Sequence, residues 1–311
     1  MGARARVGLM FAGQGAQAVG MGKALYDAYA VARDTFAEAE EASGLDLRRL
    51  CFDGPAERLA ATEVTQPALL TVDVAAWRVL VREEGPVEVA AAAGLSLGEY
   101  AALVAADAVD FAAAVRLVRA RGRLMQEAVP AGEGGMLAIL GLGRDAVIGL
   151  CREAAPDGSA QAANFNCPGQ VVVSGRVEAL ERVRELALVA GARRATRLDV
   201  SAPFHMPMLA PAREALRPLL AAAAWRAPRF AVVANLTGRP IDGAEAIVDT
   251  LAAQVDHPVE WQACVEALVG AGAEELLELG PGRALSAFAR RIAPEVAVRS
   301  LQSPDDLLVR S

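Results

Sequence analysis

One serine, two histidines and one misplaced arginine carry most of the chemistry this sequence offers. Ser96 stands in Gly94-Leu95-Ser96-Leu97-Gly98, after a mostly apolar run at 87–93 and before Glu99-Tyr100-Ala101-Ala102-Leu103. A strand feeding a Gly-x-Ser-x-Gly turn and then a helix is a nucleophile elbow, in which small residues let the chain turn sharply and push the hydroxyl into the open. Serine is a weak nucleophile at neutral pH and needs a base within hydrogen-bond reach, usually histidine. The chain has only His205 and His257. His205 lies in Pro203-Phe204-His205-Met206-Pro207, where flanking prolines favour a fixed loop, whereas His257, in Asp256-His257-Pro258, reads as a helix end or surface residue. His205 is the expected base. No acid is identifiable as a third member.

The arginine is Arg121. A helix is expected from an Asp110 cap to about Ala128. At 100° per residue Arg116, Arg119, Arg123, Gln126 and Glu127 share a polar face, and Phe111, Ala114, Leu117, Val118, Leu124, Met125 and Ala128 form the opposite one. Arg121 falls in the middle of that apolar face. A guanidinium aimed at a core is costly unless it meets an anion, so a structural ion pair and a clamp on a bound carboxylate both fit.

Positioning such groups requires a sizeable fold, and 311 residues at 54% hydrophobic content provide one large α/β domain or two domains sharing a cleft. The sequence shows no apolar run of the roughly 20 residues a membrane span needs, so no membrane partner is expected. A net charge of −7 argues against wholesale nucleic-acid binding. Cys51, Cys151, Cys167 and Cys264 are widely spaced with no Cys-x-x-Cys pair, which argues against a metal site or disulfide framework and fits a reducing cytoplasm. Arg4 and Arg6 before 7–11 mimic a signal peptide, but that run is short and ends in Gly13-Gln14-Gly15, as a buried strand and its turn would. Gly13-x-Gly15-x-x-Ala18 lacks the second strand and acidic residue that a dinucleotide site requires.

In order, the pattern predicts a strand at 5–11, helical spacing to about Ser43, and a helix opening at Thr65-Gln66-Pro67 and running to about Glu84. A strand at 87–93, the elbow and the 110–128 helix follow. Pro130-Ala131-Gly132-Glu133-Gly134-Gly135 reads as a hinge. Strands at 136–140, 161–165, 170–174 and 195–200, with helices at about 144–155 and 177–190, give the β-α-β-β-α-β order of a ferredoxin-like unit. The expected domains are therefore 1–130 with 201–311, and an inserted small domain at 131–200. A strand near Phe230–Ala234 and the strand-to-turn Leu277-Glu278-Leu279-Gly280-Pro281-Gly282 complete the large one.

Seven segments in the same order resemble one family: Phe11-Ala12-Gly13-Gln14-Gly15-Ala16-Gln17, Gly94-Leu95-Ser96-Leu97-Gly98-Glu99, Arg121-Gly122-Arg123-Leu124-Met125-Gln126, Asn164-Phe165-Asn166-Cys167-Pro168-Gly169-Gln170, Pro203-Phe204-His205, Gln254-x-x-x-Pro258-Val259-x-Trp261 and Gly280-Pro281-Gly282. They are similar to the malonyl-CoA:acyl carrier protein transacylases, which include free-standing fatty-acid enzymes and the acyltransferases of polyketide synthases. The resemblance implies an α/β-hydrolase-like large domain with an inserted ferredoxin-like small domain. It implies ping-pong transfer of malonyl from malonyl-CoA, through an acyl-Ser96 ester with His205 as base, to the phosphopantetheine thiol carried by an acyl carrier protein. No permanently bound cofactor is implied. By the same resemblance, backbone N–H groups of Gln14 and Leu97 form the oxyanion hole, the Gln254 carbonyl orients His205, and Arg121 grips the malonyl carboxylate. Leu95 stands where most of the family has histidine, and Gly-Leu-Ser-Leu-Gly-Glu resembles acyltransferases that serve polyketide synthases in trans. Phe204 before His205 resembles malonyl-selective members. Rival readings are a hydrolase clearing stalled carrier proteins, a carrier-to-carrier transferase of larger acyl groups, and a silent docking subunit.

Overall fold

Runs of apolar residues too short for helices alternate with alanine-rich helical segments, and the apolar runs pair into two four-stranded sheets. The structure, a computed structural model, describes residues 5–130, 132–200 and 202–307. Among these, ten strands form: β1 (Val7–Phe11), β2 (Val89–Gly94), β3 (Gly134–Leu140), β4 (Ala160–Cys167), β5 (Gln170–Arg176), β6 (Arg194–Arg197), β7 (Val233–Ala234), β8 (Arg239–Pro240), β9 (Glu275–Leu279) and β10 (Ala297–Leu301).

The first sheet runs β10-β9-β1-β2 with every pair parallel. Every residue of β1 is buried, as expected of a central parallel strand covered by helices on both faces. Phe11 at its end aligns with Gly94 of β2 and Leu279 of β9. The turns after these three strands, at 12–17, 95–97 and 280–282, therefore leave from one edge, the carboxyl edge where α/β sheets bind ligands. The second sheet runs β4-β5-β3-β6 and is antiparallel. Its two helices, Arg144–Ala154 and Val177–Val189, cover one face and close a separate core that includes Leu137, Ile139, Val147, Val173 and Leu180. This is the α/β fold with a ferredoxin-like second sheet. The expected boundaries after 130 and 200 fall on Ala131 and Ser201, which lie outside the described residues. β4 joins the two parts by bonding to the 259 segment, with Phe165 N–H donating to Val259 O at 2.9 Å and Val259 N–H to Ala163 O at 2.8 Å.

Several elements differ from expectation in ways physics explains. The long helix begins at Thr62, so Pro67 sits inside it and cannot donate to Glu63 O. That helix is long and apolar enough to cross a membrane, yet 89% of the relevant stretch is buried, so it is the core helix of the large sheet's cover. Asp110 precedes the Phe111–Glu127 helix without capping it; its carboxylate pairs with Arg226 instead, at 2.7 Å. The helical stretch to Ser43 is broken at the extended Tyr29 into Lys23–Ala28 and Ala30–Ser43.

Candidate active site

β2 ends at Gly94 and a helix, Gly98–Ala105, begins four residues later, so the chain reverses within Leu95-Ser96-Leu97. Ser96 adopts φ 53°, a left-handed conformation that an L residue holds only when its surroundings force it. The surroundings are backbone. A Cβ on Gly94 would lie 1.9 Å from Gly98 C, and one on Gly98 would lie 2.3 Å from Phe11 O. Asn235 ties the turn from outside: Ser96 N–H donates to its Oδ1 at 2.6 Å, and its Nδ2 donates to Gly94 O at 2.8 Å.

His205 is brought to the elbow by a loop returning from the small sheet. Its own φ is 62°, and Ser174 Oγ on β5 donates to the Phe204 carbonyl, which fixes the loop to that sheet. The imidazole is 3% exposed, with Nε2 2.8 Å from Ser96 Oγ and Nδ1 2.8 Å from Gln254 O. A carbonyl oxygen only accepts, so the neutral ring carries its proton on Nδ1 and leaves Nε2 free to accept from the serine hydroxyl. A backbone carbonyl thus fills the orienting position usually given to an acid. Burial, and then the nearby Arg121 charge, push the imidazole down to about 3, so it is neutral at physiological pH. His257 does not line this cavity. It is half-exposed at a helix end, with Nδ1 2.8 Å from Asp256 Oδ1.

Arg121 is 1% exposed. Gly122 beside it lets the Phe111–Glu127 helix approach Thr62–Glu84 closely, since a Cβ there would lie 2.5 Å from Thr62 O. That approach delivers the guanidinium to Gln66, whose Oε1 accepts from Nη1 at 2.9 Å. Nη2 donates to Gln254 Oε1 at 2.8 Å and to Ser96 Oγ at 2.9 Å, while Nε is buried with no partner among the described residues. One serine oxygen therefore faces both a neutral imidazole and a fixed cation.

These groups line a cavity of about 410 Å³ together with Gln14, Leu95, Asn164, Asn166, Leu198 and Phe204. Among the described residues, the backbone N–H groups of Gln14 and Leu97 donate to no protein acceptor. Leu97 directly follows the serine, and Gly13 packs on Leu95, where a Cβ would meet Leu95 O at 2.3 Å. The Oδ1 atoms of Asn164 and Asn166 are also buried without partners. The arrangement suits a nucleophilic serine working on an acyl group that carries an anion.

The family model for the acyl transferase domain matches residues 9–306. The chain belongs to the acyltransferase family. Among its relatives, the malonyl CoA-acyl carrier protein transacylase of Salmonella typhimurium is 45% identical over 295 residues, covering 95% of each chain, and that of Bacillus subtilis is 38% identical over 303. The solved malonyl-CoA:acyl carrier protein transacylase of Xanthomonas oryzae superposes with a TM-score of 0.94 at 42% identity, covering 97% of this chain and 96% of that one. A malonyl-transacylase solved in complex with a type II polyketide synthase acyl-carrier protein has the same TM-score and identity, with 97% of each chain covered.

Around this site the acyltransferase also places polar residues that reading the chain alone did not single out. Gln66 lay inside a predicted helix start, Asn164 and Asn166 inside a family motif, and Glu99 at the end of the elbow. Asparagines in and at the end of an expected strand, where they are depleted, were the available signal for these two. Asn235, 139 residues from Ser96, had none.

Proposed function

We propose that this acyltransferase moves a malonyl group from malonyl-CoA to the phosphopantetheine thiol of an acyl carrier protein in the cytoplasm, for fatty-acid or polyketide synthesis. The observation that carries the reading is Ser96 Oγ lying 2.8 Å from a neutral His205 Nε2 and 2.9 Å from the buried Arg121 Nη2. His205 takes the serine proton as Oγ attacks the thioester carbonyl. The oxyanion is received by the N–H groups of Gln14 and Leu97. His205 returns the proton to the departing CoA thiol, leaving malonyl on Ser96. The carrier thiol then gives its proton to His205, attacks the ester and restores the serine. Gln254 O holds the imidazole through both halves. Arg121 exchanges the Ser96 oxygen for the malonyl carboxylate, while Gln66 and Gln254 continue to hold it. Its Nε, unpartnered among the described residues, is also available, and the pairing is charge-assisted at a guanidinium that is 1% exposed. Asn164 and Asn166 offer acceptors for the amide N–H groups of a pantetheine arm. Initial rates at several concentrations of malonyl-CoA and holo carrier protein test the reading: parallel double-reciprocal lines are expected, and intersecting lines would contradict a covalent intermediate.

His205→Ala should slow both half-reactions by roughly 10²–10⁴, the contribution of a positioned base, whereas His257→Ala should change either by less than about twofold. Stopped-flow acylation rates check this, and equal losses would remove His205 as the base. Because the imidazole is held neutral down to about 3, acylation should also stay level as pH falls from about 7 to 5. The sign for stability is opposite. Below pH 6.5 the unfolded chain binds a proton that the buried ring refuses, so this residue lowers stability progressively as pH falls from 6.5 towards about 3.

The carrier protein, acidic by expectation, must approach an enzyme of net charge −7. Exposed arginines stand at one rim of the cleft: Arg283 follows Gly282, which packs against Ala16, and Arg291 donates to the Pro168 carbonyl just beyond Asn166. The adjoining cavity past Asp199 and Val200 is instead net acidic, with Glu57, Glu63, Glu127 and Asp199 against one cation among the described residues, Arg123. Transfer to the carrier protein should therefore slow as salt rises, and more steeply than acylation by CoA. Identical salt curves for the two half-reactions would contradict this docking side.

A further inference from the structure

Glu99 follows the elbow, is fully buried, and has no part in the chemistry above. Its Oε2 accepts from Asn235 N–H at 2.9 Å and from Gln254 Nε2 at 2.8 Å, while Oε1 is buried without a partner among the described residues. Those two contacts reach every reacting group in one further step. Asn235 Oδ1 holds Ser96 N–H, Gln254 O holds His205, and Gln254 Oε1 accepts from Arg121. Glu99 also supplies the carboxylate charge that acts on Arg121 inside the protein.

We propose that Glu99 is a proton-linked positioning residue for the acid-bearing substrate: ionised, it is the counter-charge of Arg121 in the empty site, and it takes up a proton as the malonyl carboxylate arrives. The inference rests on the malonyl reading above. With the pocket empty, one buried guanidinium balances one buried carboxylate. A second carboxylate on the same cation in a dry site raises the proton affinity of the first, as two carboxylates sharing a site do. The proton comes from solvent and returns to it when malonyl leaves for the carrier thiol. A neutral acetyl group demands no such exchange.

Other groups facing Glu99 do not titrate in the relevant range. Burial raises the Tyr100 hydroxyl and the Cys264 thiol and keeps His205 neutral. Burial pushes Glu99 itself up to about 7, against the opposing pull of its Asn235 and Gln254 hydrogen bonds and the Arg121 charge. It therefore sits where a bound anion decides its state. Above that pH the malonyl substrate must bring a proton with it.

Single-turnover acylation by malonyl-CoA and acetyl-CoA, followed from about pH 6 to 9 in the native enzyme and in Glu99→Gln, tests the proposal. Gln keeps an oxygen for Asn235 and Gln254, removes the charge and, like the protonated acid, presents a donor at the other position. The native enzyme should lose malonyl kcat/KM by up to about tenfold per pH unit above the Glu99 titration, and its acetyl rate should stay level. Glu99→Gln should be level for both. The same alkaline fall with acetyl-CoA, or in Glu99→Gln, overturns the proposal. Should Glu99→Gln not fold, calorimetry of malonyl-CoA binding to Ser96→Ala in two buffers of different ionisation heat reads the proton directly: uptake with malonyl-CoA and none with acetyl-CoA is expected, and equal uptake overturns it. A malonyl adduct with a level pH profile defeats this proposal alone, whereas no malonyl adduct at any pH defeats the malonyl reading beneath it.

Discussion

Ser96→Ala is expected to lower kcat for malonyl transfer by on the order of 10⁶, the scale seen when a serine nucleophile is removed from a working catalytic triad. In the proposed mechanism Oγ is the atom that bonds to the acyl group, and it lies 2.8 Å from His205 Nε2. The fold should survive. The turn is held by Asn235 through backbone atoms that alanine retains, and serine already bears the cost of φ 53°. Arg121 Nη2 loses one acceptor but keeps Gln254, so stability should change by about 1 kcal/mol or less. Adding His205→Ala should cost little more, because two residues that act as a unit are lost together. Steady-state kinetics of both single variants and the double variant check this. Losses that multiply would mean that serine and histidine act independently.

Arg121→Ala should lower kcat/KM for malonyl-CoA by a factor corresponding to roughly 3–5 kcal/mol, the cost of removing one partner from a buried charge pair. Acetyl-CoA should be used as well as before or better, since it leaves no carboxylate stranded. The comparison separates two ways the mutation could act. Arg121 also holds Gln254, whose carbonyl orients His205, and disturbing that support would injure both substrates equally. Arg121→Lys should recover little, because a single ammonium cannot span Gln66, Gln254 and the substrate as a planar fork does. Stability should fall by about 1–3 kcal/mol as the Gln66 and Gln254 oxygens lose their donor. Parallel kcat/KM measurements with both thioesters decide it, and an unchanged malonyl-to-acetyl ratio would contradict the clamp.

How legible the site was depended on how local each requirement is. The elbow is written in five consecutive residues because close backbone approach at Gly94 and Gly98 is a short-range demand. Arg121 stood out because a helical period exposes a charge on the wrong face, although the period could not say whether an ion pair or a ligand awaited it. The structure supplies neither outright: the Gln66 and Gln254 amide oxygens accept from the guanidinium, and the Glu99 charge acts on it. Those partners were hidden because the contacts join positions 55 and 133 residues away, where only tertiary packing sets the distance. The small sheet and three strands of the large one followed from apolar spacing, whereas the edge strand β10 (Ala297–Leu301), half-exposed and with Arg299 and Ser300 inside it, was not read from the sequence. The start of the long helix did not follow either, because a proline that looks like a first-turn residue is tolerated in the interior when tertiary burial outweighs one lost hydrogen bond.

The measurement that bears most directly on malonyl transfer through Ser96 is intact mass of the protein mixed with malonyl-CoA alone, followed by peptide mapping and then addition of holo carrier protein. The expected result is one malonyl group per chain, mapped to Ser96, absent in Ser96→Ala and discharged when the carrier protein is added. A protein that stays unmodified, or an adduct that persists in Ser96→Ala, would contradict it.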